Sequence, residues 1–193
     1  MTAKSIALSV AVLVLFGSGA RAEDLNVMDA EAAQQYGQYL SRLFEKAEDH
    51  QVKVEPSASN ASGLVVGNEG IILVPAKQID DEELGKAVES ETGAPLAYLF
   101  LSPRFNPLEA GKKLDGKKLR TVQYESDGEK RDATALILAV RHVEGDDWRL
   151  YVYGAEKKPL IEAKFFEADE EQDRKLSIRV QDVKDGRGTL VVT

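Results

Sequence analysis

The sequence predicts a mainly β protein of the α+β class, an antiparallel β-sandwich or open barrel with one N-terminal amphipathic helix. Two observations lead to this prediction. Apolar residues between Ala33 and Ala47 recur at spacings of three and four, which is the period of a helix. From His50 onward, apolar residues instead form short runs separated by Gly, Asp and Asn, which is typical of strands joined by turns.

The first 22 residues have the order of a secretory signal peptide. Lys4 precedes an apolar stretch from Ile6 to Phe16, which is followed by a small-residue site that ends at Ala22. About 11 apolar residues are too few for a helix that crosses a bilayer, which needs about 20. We therefore expect cleavage after Ala22 and export to the periplasm or the extracellular space of a bacterium. We expect no membrane insertion after cleavage.

The composition excludes several kinds of catalytic and metal-binding site and several kinds of binding partner. The 193 residues include no cysteine, which excludes disulfides, thiolate catalysis and Cys-based metal sites. Removal of residues 1–22 takes away Lys4 and Arg21 but no acid, so 23 basic side chains remain against 33 acidic ones, a net charge of −10. Because that charge repels phosphate groups, we expect neither nucleic acid nor a membrane surface as a partner.

Residues 23–50 are expected to form a helix that packs on a β-rich domain of residues 51–193. Asp29 is the candidate N-cap, and the helix is predicted to run to about Asp49. Its apolar stripe contains Ala33, Tyr36, Leu40, Leu43, Phe44 and Ala47. We interpret this stripe as a face that docks on a sheet, with a helix that binds a partner as the alternative.

The first strands are predicted from alternating or continuous apolar runs. Val52 and Val54 alternate with polar residues. Residues 63–66 and 71–74 flank the turn 67–70, and this arrangement predicts a hairpin because Gly and Asn tolerate positive φ. Residues 96–101 and 119–124 follow as further strand candidates.

Residues 133–143 form the strongest strand candidate. They are apolar on both faces, so we place them at the centre of the sheet and pair them with residues 148–153 as a hairpin. Three further candidates lie at residues 160–166, 175–181 and 189–193. The last candidate is expected to be either an edge strand or a strand that pairs with another molecule.

One hairpin resembles a known family. Residues 62–66 (Ser-Gly-Leu-Val-Val) and 70–74 (Gly-Ile-Ile-Leu-Val) resemble the opening hairpin of Deg-type trypsin-like proteases, in which the second strand carries the catalytic histidine. Lys77 stands at the histidine position, and no later stretch resembles the Gly-Asn-Ser-Gly-Gly nucleophile loop. The resemblance implies a degenerate relative without catalytic residues, and a degenerate trypsin-like β-barrel as the alternative fold.

Residue types that carry catalysis are scarce. The chain has two histidines and lacks the GxSxG, HExxH, P-loop and dinucleotide-binding motifs. We interpret His50 as a cation at the helix end and His142 as a structural, hydrogen-bonded residue near the end of its strand. These observations favour a non-enzymatic binding or structural module of the envelope, with no cofactor and with an envelope protein or a glycan as its partner. A carboxylate-dependent hydrolase is the alternative.

Two groups of residues are candidates for a ligand or partner surface. The tyrosines Tyr151 and Tyr153 lie opposite Trp148 and Leu150, where they would either form an aromatic surface or be covered by the helix. The basic tract would either receive an anionic ligand or form a solvated loop. It contains Lys112, Lys113, Lys117 and Lys118.

An acidic stretch is the candidate for a metal site, in a calcium-stabilised module. Its acids recur at every second position, and oxygen-rich loops bind calcium. They are Glu167, Asp169, Glu171 and Asp173. Because Arg174 and Lys175 follow directly and the DxDxDG spacing is absent, a solvated loop without metal is the alternative.

Overall fold

The computed structural model describes residues 8–16, 25–46, 50–77, 90–109, 111–145, 147–164, 166–167, 176–184 and 187–193. The first half of the chain contains β1 (Leu8–Phe16), β2 (Asn26–Val27), α1 (Ala30–Glu45), β3 (Ser62–Val66), β4 (Glu69–Pro75) and β5 (Ala94–Leu101). The second half contains β6 (Phe105–Glu109), β7 (Lys112–Lys113), β8 (Arg120–Ser126), β9 (Glu129–Glu144), β10 (Asp147–Tyr153), β11 (Ile161–Lys164), β12 (Phe166–Glu167), β13 (Ile178–Lys184) and β14 (Arg187–Val192).

The strands form two antiparallel sheets. The larger sheet has the order β11-β10-β9-β5-β4-β3-β2, with β8 beside the first half of β9. The smaller sheet has the order β13-β14-β1-β6-β7, with β12 beside β1. Among the described strands neither sheet closes into a barrel, so the predicted α+β sandwich-like fold is confirmed and the barrel alternatives are not.

The two faces of the larger sheet belong to two different cores. Leu136 and Leu138 of β9 pack between the sheets with Leu190 of β14 and Phe105 of β6. Ile137 packs on the opposite face, in the core that α1 covers. The molecule therefore has three layers, and β9 lies between β10 and β5 at the centre of the larger sheet. This arrangement confirms the placement of residues 133–143.

The helix begins as predicted. The Asp29 carboxylate accepts hydrogen bonds from the backbone N–H groups of Glu31 at 2.9 Å and Ala32 at 3.2 Å. The helix ends at Glu45, and residues 47–49 lie outside the described ranges. The buried face consists of Ala33, Gly37, Leu40, Ser41 and Phe44. No helix in the described ranges is long and apolar enough to cross a membrane.

The predicted apolar stripe and the buried face share Ala33, Leu40 and Phe44, whereas Leu43 is half-buried and Ala47 lies outside the described residues. Tyr36 is 40% exposed, and the contact with the sheet passes through Gly37 instead. A Cβ atom at Gly37 would lie 3.0 Å from Cγ2 of Val74 and 3.1 Å from Cβ of Ala61. The glycine therefore lets the helix backbone approach β4, and the docking-face prediction is confirmed.

The described structure differs from the sequence prediction at several strands. Val52 and Val54 are buried but belong to no strand; only Pro56 forms an isolated bridge, with Ala76. The short strands β2, β6 and β7 have too few residues to show a period and were not predicted. Residues 8–16, which lie within the predicted signal peptide, form the long strand β1 between β14 and β6.

Both predicted hairpins are present. Strands β3 and β4 pair from Ser62↔Leu73 to Val66↔Glu69, and the turn places Gly67 at φ 57°. Lys77, at the histidine position of the Deg-type comparison, is exposed, and its N–H donates to the Glu55 carbonyl. The relationship to Deg-type proteases stays a prediction. Strands β9 and β10 pair through a turn that contains Gly145.

Candidate ligand-binding site

A pocket of about 170 Å³ lies between α1 and the larger sheet. We call it the Glu69 pocket. Apolar side chains from the segment before the helix, from the helix and from three strands line it: Met28, Leu40, Ile72, Phe100 and Ala133. A dry cavity of 150 Å³ in another protein holds a benzene molecule. The Glu69 pocket is therefore large enough for a small ring or a short branched chain.

Met28 has room in this pocket because two neighbouring residues are glycines. A Cβ atom at Gly63 would lie 3.0 Å from the Met28 sulfur, and one at Gly70 would lie 3.2 Å from its terminal methyl carbon. The Met28 N–H donates to the Gly63 carbonyl at 2.8 Å. The flexible thioether therefore lies over the β3–β4 hairpin where larger residues would leave no space.

Glu69 supplies the charge of the pocket. It is the first residue of β4, directly after the Gly67-Asn68 turn, and its side chain is 26% exposed. One carboxylate oxygen, Oε1, lies 3.8 Å from Nη1 of Arg131. The other, Oε2, is buried and has no hydrogen-bond partner among the described residues. A buried acceptor without a donor is costly, so this oxygen is ready to accept a hydrogen bond from a ligand.

Four residues with hydroxyl groups line the same pocket: Tyr36, Ser102, Tyr124 and Ser126. Ser102 is buried, and its Oγ accepts the Gly70 N–H at 2.8 Å. Burial raises the pKa of the Tyr124 phenol, and the negative charge of Glu69 raises that pKa further. Tyr36 projects from the helix at 40% exposure. The Tyr124 phenol therefore remains protonated at neutral pH, and Tyr36 and Tyr124 place two aromatic rings beside the Glu69 carboxylate.

This arrangement has a defined chemical preference. The apolar wall favours a hydrocarbon part of a ligand, and the unpartnered carboxylate oxygen favours a cationic or N–H group. Aromatic rings also attract ammonium groups through their faces. A carboxylate or phosphate ligand would instead be repelled by Glu69 and by Asp127, which also lines the pocket.

The two tyrosines predicted as a surface are buried. Tyr151 is 6% exposed and Tyr153 is 1% exposed, and both belong to the core on the helix side of the larger sheet. The Tyr153 hydroxyl donates to the Thr92 carbonyl at 2.9 Å, and the Arg141 guanidinium lies over the Tyr151 ring at 5.8 Å. Of the two alternatives, the exposed aromatic surface is therefore wrong and burial on the helix side is found: these rings are core residues, because large apolar area is buried where it can be covered.

The basic tract is exposed and divided between two places. Lys112 and Lys113 form β7 at the edge of the smaller sheet, and Lys117 and Lys118 belong to a 3-10 turn; all four are exposed. Lys118 Nζ lies 3.8 Å from a carboxylate oxygen of Glu156. The Lys118 carbonyl accepts the Ala155 N–H at 2.7 Å, so the tract approaches the end of β10 through its backbone, whereas the tyrosine rings are buried in the core. An anion-binding role of the tract stays a prediction.

The calcium candidate lies mostly outside the described ranges. Glu167 is in β12, whose backbone pairs with β1, whereas Asp169, Glu171 and Asp173 are outside the described residues. Within the part of the chain that the structure describes, no group of three potential metal ligands occurs. The calcium hypothesis therefore stays untested at its own residues.

The two histidines have structural contacts. His142 hydrogen-bonds through Nε2 to the Gly145 carbonyl and its ring lies 4.9 Å from Trp148. His50 hydrogen-bonds through Nε2 to the Phe44 carbonyl at 3.0 Å, near the helix end, and its ring lies 4.4 Å from Phe44. Burial lowers the pKa of His50, with a smaller lowering from Arg120. The lowered pKa favours the neutral imidazole at neutral pH, so His50 contacts the Phe44 carbonyl at the helix end through a hydrogen bond rather than through the expected positive charge.

The lowered pKa predicts how stability depends on pH. Because the folded protein keeps His50 neutral and the unfolded chain protonates it near its ordinary pKa, this residue stabilises the fold above about pH 6.5. Its contribution is lost as the pH falls below that value, by at most about 1.4 kcal/mol per pH unit. Glu45, which opposes the shift, and Tyr98 are the other titratable groups near the ring.

The measurement is urea denaturation at pH 7.5 and pH 5.5 for the native chain and for His50→Gln. The glutamine amide can still donate to the Phe44 carbonyl but does not titrate. We expect the pH difference in unfolding free energy to be smaller in the variant. His142→Gln is the matched control and should retain the native difference. Equal pH differences in all three proteins would contradict the prediction.

The sequence did not predict the Glu69 pocket. Glu69 was assigned to a turn, Leu40 to the apolar stripe of the helix and Phe100 to the strand candidate 96–101, and Met28 was not singled out. The available signal was an acid at the start of a strongly apolar strand, and this signal is weak without knowledge of the neighbours of that acid.

Comparison with family models, with curated proteins and with solved structures finds no match to this chain.

Proposed function

We propose that this chain is an exported protein of the bacterial envelope that loses residues 1–22 and acts as a non-enzymatic module binding a small molecule in the Glu69 pocket. The ligand class is an amine with a compact apolar part. The observation that carries the proposal is the buried Oε2 atom of Glu69, which has no hydrogen-bond partner among the described residues and lies at a pocket with mostly apolar walls. The scarcity of nucleophiles and histidines supports binding over catalysis.

The proposal predicts charge-dependent binding of model ligands. Benzylamine, benzyl alcohol and benzoate share one ring but present a cation, a neutral hydroxyl and an anion. We expect the native protein to bind benzylamine best and benzoate worst in ligand-observed NMR titrations. Glu69→Gln should weaken benzylamine binding about tenfold or more, because a hydrogen bond to a charged group contributes about 1.5–3 kcal/mol.

Glu129→Gln is the matched control. Glu129 also contacts Arg131, at 3.3 Å, but its side chain is 73% exposed and it does not line the pocket. This variant removes the same charge from the same ion-pair group and should bind benzylamine like the native protein. Equal loss in both variants, or benzoate binding as tight as benzylamine binding, would contradict the proposal.

A carboxylate-dependent hydrolase is the second candidate. Glu69 and Asp127 line the same pocket, and glycosidases use two carboxylates that face one substrate. Asp127 is exposed in the β8–β9 turn at φ 55°, which keeps its carboxylate solvated. Hydrolysis of 4-nitrophenyl glycosides that is abolished by both Glu69→Gln and Asp127→Asn would favour this candidate over the binding module.

Export has its own test. The full chain is produced with its native N-terminus in a bacterial host, and the periplasmic fraction is analysed by intact-mass spectrometry. We expect a product that begins at residue 23. A product that stays in the cytoplasm with residues 1–22 attached would contradict export. The binding measurements would still test whether the Glu69 pocket binds an amine.

A further inference from the structure

The apolar segment 8–16 has two incompatible uses in this protein. Its sequence is the hydrophobic part of the predicted signal peptide, and its backbone is the central strand β1 of the smaller sheet. Residues Val10 to Leu15 pair antiparallel with Val192 to Arg187 of β14. Residues Val14 to Phe16 pair antiparallel with Pro107 to Phe105 of β6. Removal of residues 1–22 therefore removes the strand between β14 and β6.

The gap that remains is the strand groove, bounded by β14 on one side and β6 on the other. Within the described residues β14 and β6 have no pairing with each other. Strands β14 and β6 are both antiparallel to β1, so they are parallel to each other. They are separated by two strand spacings of about 5 Å each. Each edge of the groove presents backbone N–H and C=O groups that β1 satisfies in the full chain.

The core holds the two edges apart. Leu190 of β14 and Phe105 of β6 are 0% and 1% exposed and pack in the core between the sheets. Direct pairing of β14 with β6 would require one of these side chains to leave its packed position. A second copy that paired through its own β14 would satisfy one edge of the groove and leave the β6 edge unpaired. One inserted strand satisfies both edges.

We propose that, in the exported protein, the strand groove accepts an extended apolar strand of a second envelope protein, which runs antiparallel to both β14 and β6. This inference rests on the export and cleavage proposed above. The segment that fills the groove in the full chain defines the chemistry of the partner: about nine residues with no charge and with mostly Val, Leu and Ala. Such strand addition combines backbone hydrogen bonds with apolar side-chain burial.

The absence of cysteine allows a register-specific test. In the full chain Leu13 faces Thr189 and Ala11 faces Val191. Cysteines at facing positions of adjacent antiparallel strands are close enough for a disulfide, whereas a shift of two residues moves them apart. The probe is a synthetic peptide of residues 6–18 with two lysines added at its C-terminus, carrying either Leu13→Cys or Ala11→Cys.

The peptide is mixed with the periplasmic product that begins at residue 23, carrying either Thr189→Cys or Val191→Cys. We expect the matched pairs, Leu13 with Thr189 and Ala11 with Val191, to cross-link at least tenfold faster than the two mismatched pairs. A peptide that also carries Val12→Pro and Val14→Pro, which removes backbone donors, should lose this reaction. Equal rates in all four combinations, or no cross-linking, would overturn the inference.

A second measurement uses the full chain. The double variant Leu13→Cys/Thr189→Cys should form an intramolecular disulfide on oxidation, and Leu13→Cys/Val191→Cys should not. Failure of the matched pair there would overturn the groove itself.

A periplasmic product that is a dimer linked through β14 would replace the partner by a second copy. A product that keeps residues 1–22 would overturn both export and the open groove, whereas a cleaved product that binds no strand would overturn the groove alone.

Discussion

Replacement of Gly154 by alanine is expected to destabilise the protein by about 3 kcal/mol or more. A Cβ atom at this position would overlap the Lys118 carbonyl oxygen and would lie 2.6 Å from Cδ1 of Leu160. The first of these contacts is with the backbone, so no side-chain rotation relieves it, and overpacking of this kind costs about 1–3 kcal/mol or more. The Lys118 carbonyl also accepts the Ala155 N–H at 2.7 Å, and a backbone shift would weaken that hydrogen bond.

Gly116→Ala is the matched control. It makes the same substitution two residues before Lys118, but a Cβ atom there meets nothing within 4 Å. We expect its unfolding free energy to stay within about 0.5 kcal/mol of the native value, as for other exposed substitutions. Urea denaturation of the three proteins measures the difference. A Gly154→Ala protein as stable as Gly116→Ala would show that the two segments do not approach as described.

Replacement of Phe44 by alanine is expected to cost about 3–5 kcal/mol, the usual range for a buried phenylalanine. The side chain is 2% exposed at the end of α1. Its ring meets Tyr98 edge to face at 5.1 Å and Phe100 at 6.0 Å, and such pairs contribute beyond their buried area. Because α1 docks through this cluster, the substitution removes its main anchor, and the melting temperature should fall by roughly 10 °C.

Tyr39→Ala tests whether this cost is specific to the docked face. Tyr39 lies on the same helix at 40% exposure, and its hydroxyl accepts the Glu125 N–H at 3.4 Å. Loss of one long, exposed hydrogen bond should cost no more than about 1 kcal/mol. Differential scanning calorimetry compares the two variants. Similar melting temperatures for Phe44→Ala and Tyr39→Ala would mean that α1 does not depend on the aromatic cluster.

Much of the fold could be predicted because it depends on local patterns. The Asp29 cap needs only an acceptor followed by a helical period, and the helix was predicted to begin there. Residues 133–143 were predicted at the sheet centre because a strand with two apolar faces must be covered twice. Strands β2, β6 and β7 were missed since two to five residues do not establish a period.

The candidate site was less predictable for a physical reason. Tyr151 and Tyr153 alternate with core residues, and this pattern fits an exposed face as well as a second core. Only the packing on the helix side of the larger sheet decides that both are buried. The environment of Glu69 depends on Arg131 and Tyr124, which are distant in the sequence and adjacent through the β8–β9 hairpin.

The sequence by itself determined the properties that short segments carry: the amphipathic period of the helix, the two-faced apolar strand at the sheet centre, the lack of cysteine and the scarcity of catalytic residue types. The tertiary structure decided which side chains share an environment. It placed a carboxylate oxygen that has no partner in the described part of the chain beside a mostly apolar pocket, brought Gly154 against Lys118, and inserted residues 8–16 between β14 and β6. These features arise from contacts between residues far apart in the chain, and no local pattern specifies such contacts.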